Sequence, residues 1–138
     1  MTPDSLTFAE FRKANVLRCT TAFHELDSWS ETDWGCALAG EVGELCNLLK
    51  KRHRWLNGMP NPSEKEPPTI EACAKEAGDI VAYLDLLCAR MGIDLGAAVR
   101  SKFNEVSKRM GFPTHVIPED LKPDVVIRGD VPAWKALD

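Results

Sequence analysis

The sequence has no surplus of positive charge: 17 Lys and Arg stand against 21 Asp and Glu, a net charge of −4. That lacks the basic footprint of a protein that grips nucleic acid by its phosphates, and no stable nucleic-acid binding is expected. A polyanion could still be held, but only with metal ions or a local basic cluster. No run of about 18 apolar residues occurs, so neither a membrane span nor a membrane partner is expected. The opening MTPDSLTFAEF lacks the basic and apolar regions of a signal peptide. The cysteines are odd in number, with no CxxC pair: Cys19, Cys36, Cys46, Cys73 and Cys88. Each lies in an apolar helical pattern, which favours reduced core thiols over a disulfide framework or a zinc site. The expected location is therefore cytoplasmic, in a bacterial cytosol or in a host's for a phage-encoded chain. No internal repeat is present.

What remains is an ordinary globular composition, 44 % hydrophobic and 28 % charged over 138 residues. That length fits one domain, able to bury roughly 70 % of its unfolded surface. Four helical segments stand out. The first follows Thr7, which can form a capping box with Glu10, and carries Phe8, Phe11, Cys19, Ala22 and Leu26 at helical spacing. The second opens at Ser30, with Asp33 three residues on, and runs to about Trp55; Lys50-Lys51-Arg52 suit its C-terminal end. Residues 57–68, NGMPNPSEKEPP, form a loop. The third helix runs from Thr69 to just before Gly92, with an apolar stripe wide enough for a central helix. Asp94 can cap the fourth, which ends at Gly111. The pattern predicts an all-α antiparallel four-helix bundle over residues 1–112. Residues 113–138 read as an extended proline-rich tail, with Val125-Val126-Ile127 as the one plausible strand and Trp134 as an anchor.

Two carboxylate pairs carry the chemistry. Glu41 and Glu44, three apart in AGEVGEL, project from one helix face, and Glu76 and Asp79 in KEAGDIV repeat that geometry on the third helix. Gly40, Gly43 and Gly78 lie among them, although glycine inside a helix costs about 1 kcal/mol relative to alanine. A close approach of helices or of a ligand would account for that. If the two faces oppose each other, each pair of charges about 5 Å apart repels by roughly 3 kcal/mol. Several such pairs would consume much of the ~5–15 kcal/mol stability of a small domain. A divalent cation converts that repulsion into ligation, and an all-oxygen set suits Mg²⁺ or Mn²⁺ rather than zinc or copper. Solvated surface acids are the competing explanation, and spacing does not separate the two. Lys51 follows Glu44 by two turns, and Lys102 and Arg109 are seven apart on the fourth helix. Metal with convergent cations is what a polyphosphate needs, though singly each cation could be a solvated side chain. Tyr83, one turn beyond Asp79, could face the same cleft or the core.

WGCALAGEVGELCNLLKK and EACAKEAGDIVAYLDLLCARMGIDLGAAVRSKFNEVSKRMGF resemble the MazG-like all-α nucleotide pyrophosphohydrolases, over roughly residues 8–112. The resemblance implies Mg²⁺-dependent hydrolysis of (deoxy)nucleoside triphosphates to the monophosphate and pyrophosphate, in nucleotide-pool control or sanitation. It implies Glu41, Glu44, Glu76 and Asp79 as metal ligands and catalytic residues. Lys50, Lys51, Lys102, Asn104 and Arg109 would contact phosphates, and Asn15, Arg18, Trp29, Trp34 and Tyr83 the nucleobase. It also implies a homodimer or a dimer of dimers. Three features depart from the family pattern: Gly40 stands where many relatives carry a glutamate, the 57–68 loop is long, and the tail has no counterpart. Two other expectations compete with the hydrolase, namely a nucleotide sensor without turnover and a non-catalytic helical interaction module.

Overall fold

The computed structural model describes residues 6–114 and 116–118. The tail expectations, including the strand at Val125-Val126-Ile127 and the anchor Trp134, lie outside the described residues. Four α-helices account for the regular structure: α1 Phe8–Ala22, α2 Glu31–Leu56, α3 Ile70–Arg90 and α4 Leu95–Arg109, with a 3-10 turn at Leu26–Ser28. Among the described residues there is no strand, and no helix is long and apolar enough to cross a membrane. The chain divides into two compact units, one of Arg12–Asp94 and one joining the chain up to Phe11 to the chain from Leu95 on.

In the Arg12–Asp94 unit, short-range chemistry sets the helix ends. The Ser30 hydroxyl accepts from the Asp33 N–H, and the Asp33 carboxylate accepts from the Ser30 N–H, closing both halves of a capping box ahead of α2. Thr69 caps α3 by accepting from the Ala72 N–H at 3.0 Å. After α3 the chain turns through Gly92 at φ +70°, where the Ile93 N–H returns to the Cys88 carbonyl. That left-handed step is nearly free only for glycine.

α2 and α3 run antiparallel. Arg90 Nε, at the end of α3, donates to the Trp29 carbonyl just ahead of α2, and Arg52, near the end of α2, donates to the Pro68 carbonyl just ahead of α3. The 57–68 loop between them is tied down: Arg54 pairs with Glu64, and Glu64 also accepts from the Asn61 N–H. Cys19, Trp34 and Leu86 form the buried core, with Trp29 and Tyr83 packed against it, and the Trp34 indole N–H donates to the Leu26 carbonyl. The part of α1 in this unit meets α3 through polar groups. Arg12 Nε donates to Asp85 Oδ1 at 2.6 Å, and Asn15 Nδ2 donates to the Ala82 carbonyl at 2.9 Å.

Two expectations need correction. Cys19 and Cys88 are buried, but Cys36 and Cys46 are exposed and Cys73 is half-buried. An apolar helical spacing marks a face fit for burial; it does not say that this chain alone covers it. A Cβ built at Gly40, Gly43 or Gly78 would meet nothing within 4 Å. Close helix packing within the chain is therefore not their reason, and the space beside the acids is open.

In the other unit, Thr7 and Glu10 close the expected capping box at the start of α1. Phe8 lies so near Gly96 that a Cβ there would come within 3.2 Å of it. Asn104 on α4 spends its side-chain amide on Ile117, donating to the carbonyl at 2.9 Å and accepting from the N–H at 2.6 Å.

Candidate metal centre and adjoining pocket

The antiparallel α2–α3 pair brings the middles of the two helices together, and with them the acids. Each of Glu41, Glu44 and Glu76 offers a carboxylate oxygen, and these oxygens lie within 4.8 Å of one another. Glu41 is half-buried, Glu44 exposed and Glu76 half-buried. Asp79 stands outside that trio, but its charge acts on both Glu41 and Glu76. Burial raises the Glu41 carboxyl above its ordinary range, and the charges of Glu44, Asp79 and Glu76 push the same way. Glu76 is raised too, first by desolvation, then by the charge of Glu44 and a hydrogen bond with it, then by Asp79. Glu76 Oε2 is shut off from solvent and receives no hydrogen-bond donor. Two ionised carboxylates are both acceptors, so Glu44 satisfies that oxygen only when a proton lies between them. A buried acceptor of this kind, beside two further carboxylates, fits a hard cation ligated by oxygen.

Next to the acids lies a cavity of about 370 Å³, wholly within the same unit. Asp79 lines it, as do Asn15, Arg18, Trp29, Trp34 and Tyr83, so the residues expected to face a nucleobase share one cavity with an acid of the second pair. Trp34 is fully buried and serves as wall rather than as a free contact. The ring of His24 packs at a tilt against Trp29 and Trp34, with centroids 4.6 and 5.5 Å away, and its Nδ1 sits 2.8 Å from the Ser28 hydroxyl.

The expected phosphate contacts are placed less uniformly. Lys50 is exposed and Lys51 half-buried on α2. Lys51 also acts on Glu64, which its hydrogen bond from Asn61 and the nearby Arg54 and Lys51 charges hold below the usual carboxylate range. Lys102 pairs with Glu105 at 2.7 Å, and Arg109 approaches the same carboxylate at 3.9 Å; both are exposed pairs on α4. Asn104 gives one amide hydrogen to the Ile117 carbonyl and accepts the Ile117 N–H on Oδ1, which leaves its second amide hydrogen to offer.

Sequence reasoning missed His24, and although it placed Asn15 at the base it missed the half-buried Arg12 and the buried Asp85 that hold it. His24 is one of three histidines and could have been flagged beside Trp29. Nothing local marks Asp85, whose partners lie about 70 residues away in the chain.

No family model matches the chain, and no solved structure matches it. Curated relatives do. The chain is 38 % identical over 80 residues to dCTP pyrophosphatase 1 of Homo sapiens, and 36 % identical over 80 residues to the proteins of that name in Rattus norvegicus and Bos taurus. Each match takes in 58 % of this chain and 44 % of the relative. The chain thus spans less than half the length of the dCTP pyrophosphatases to which it is similar.

Proposed function

We propose that the protein is a Mg²⁺-dependent nucleoside triphosphate pyrophosphohydrolase, releasing the monophosphate and pyrophosphate. The observation that carries this reading is the convergence of Glu41, Glu44 and Glu76 from two helices, with Glu76 Oε2 buried and without a donor. Glu41, Glu44 and Glu76 would hold the ion, with Asp79 completing the acidic face between it and the cavity. Bound Mg²⁺ supplies Lewis acidity and neutralises phosphate charge. Asp79 lines the base cavity and lies in the field of the acids, so a nucleotide seated on the aromatic wall has its phosphates directed toward the carboxylates. A carboxylate that is not fully committed to the ion, Glu41 or Glu44, is proposed to accept the proton of the attacking water. Similarity to proteins named dCTP pyrophosphatase 1 supports the same chemistry and makes dCTP the first substrate to try. Lys51 on α2 is proposed to steady the leaving pyrophosphate. The active form is proposed to be a homodimer or a dimer of dimers, whose helices complete the bundle, at work in the cytoplasm on the nucleotide pool.

The test is pyrophosphate release from a panel of NTPs and dNTPs with and without Mg²⁺. Release should require the ion, and Glu44→Gln and Glu76→Gln should each lower it by about a hundredfold or more. Either variant turning over like the wild type would remove the ligand assignment.

A further inference from the structure

We propose that the cavity reads the amino edge of a nucleobase through Asn15 and Arg18, with Asp85 as the positioning residue that decides which end of the Asn15 amide faces the base. This deepens the proposed function and rests on its reading of the cavity as a base pocket.

Asn15 and Asp85 are 3 % and 1 % exposed. The two hydrogens on Asn15 Nδ2 are both spent inward, on the Ala82 carbonyl at 2.9 Å and on Asp85 Oδ2 at 3.1 Å. Asp85 cannot move away to release them. Its other oxygen takes Arg12 Nε, and Arg12 Nη2 is tied in turn to the Ile93 carbonyl at 3.0 Å. A carbonyl and an ionised carboxylate only accept, so turning the amide round would set Oδ1 against two further oxygens. The orientation is locked, and Oδ1 is the atom Asn15 has left to offer in the cavity it lines. That oxygen accepts from Arg18 Nη2 at 3.2 Å and keeps a second lone pair. Arg18 lines the same cavity and brings donors only.

An acceptor beside a donor is complementary to a ring that carries an exocyclic amine next to an unprotonated ring nitrogen. Cytosine and adenine present that edge. Uracil, thymine, guanine and hypoxanthine present the reverse, a carbonyl next to a ring N–H, which would oppose lone pair to lone pair and N–H to N–H. His24 and Trp29, backed by the buried Trp34, offer a stacking surface that either ring size can use, so discrimination falls on the edge.

Calorimetric titration of the full chain with dCMP and with dUMP isolates that edge, because the two nucleotides differ only there. The wild type should bind dCMP about tenfold or more tighter, and dAMP should exceed dIMP likewise, since a site built to pair a polar edge rejects the ligand that leaves it unpaired. In Asp85→Asn the new amide can donate to a turned Asn15 Oδ1, so one of the two acceptors that lock the orientation is lifted, the Ala82 carbonyl being the other, and the turned state gains population. The dCMP-to-dUMP ratio should then fall toward one while dUMP affinity holds, whereas a merely structural role would weaken both nucleotides alike. Should that variant not fold, Asn15→Ala reads the ratio from the other side and should also collapse it. Equal affinities, no binding of either nucleotide, a dUMP preference, or an unchanged ratio in a folded variant would overturn the inference. Base discrimination without pyrophosphate release would sink the hydrolase reading and leave this one. Equal release from every triphosphate would do the reverse.

Discussion

Glu41 and Glu76 sit above their ordinary pKa because each is partly desolvated among like charges. A carboxyl whose folded pKa is raised binds its proton more tightly in the folded chain. The stability it lends is therefore present at low pH and is lost as the pH climbs through the raised folded value. Glu10, Asp33 and Glu64 are lowered, so their contributions run the other way and fade only as the pH falls through their folded values, below the ordinary carboxylate range. Metal-stripped protein should accordingly melt at a lower temperature near pH 7.5 than near pH 5.5, as a thermal scan in EDTA will register. Mg²⁺ should recover more of that loss at the higher pH, because protons compete with the ion for the same oxygens. Glu76→Gln should blunt both the pH slope and the Mg²⁺ response while disabling turnover. Stability and activity would then move in opposite directions, the signature of a site held against its own repulsion. A pH slope kept intact in Glu76→Gln would mean that the trio is solvated decoration.

At the level of the element, α2 owes its start to a reciprocal cap and its end to the loop folded back on it. Ser30→Ala removes the hydroxyl that satisfies the Asp33 N–H and should cost about 1 kcal/mol, measurable by urea unfolding. Glu64→Ala frees Arg54 from a partly buried pair and unties the 57–68 loop, so limited proteolysis should cut there sooner than in the wild type. Both the caps and the loop were legible in the sequence because they depend on partners three or four residues apart and on proline and glycine, whose backbone limits are local. The acidic pairs were legible for the same reason: a spacing of three on a helix fixes a shared face. That the two faces meet was not. It depends on α2 and α3 running antiparallel in one register, which Arg90 with Trp29 and Arg52 with Pro68 make visible only in three dimensions. Asp85 was more opaque still, since an acid amid the apolar residues of α3 reads as an exposed position until its partners on α1 are in place.

Over the Arg12–Asp94 unit as a whole, the core is small for the amount of apolar side chain the sequence supplies. Val42, Leu49 and Leu56 fall seven residues apart on α2 and are 41, 49 and 69 % exposed, and Ile70 and Val81 on α3 are exposed as well. A seven-residue repeat keeps such side chains along one stripe of a helix, the geometry by which one helix packs against another. Burying one of them fully is worth about 1.5–3 kcal/mol, and a two-fold contact counts every residue twice. Two copies joined along this stripe would cover the exposed parts of these side chains together, a gain to set against the cost of association that an isolated exposed leucine lacks. Light scattering coupled to gel filtration should give a dimer, or a multiple of it, at micromolar concentration. Leu49→Glu places a charge in the middle of the stripe without touching the acids or the cavity, so it should shift the mass toward the monomer. Where the partner helps to form the pyrophosphohydrolase site, turnover of Leu49→Glu should become steeply dependent on protein concentration. A wild-type chain that stays monomeric throughout would leave the stripe without a role in assembly.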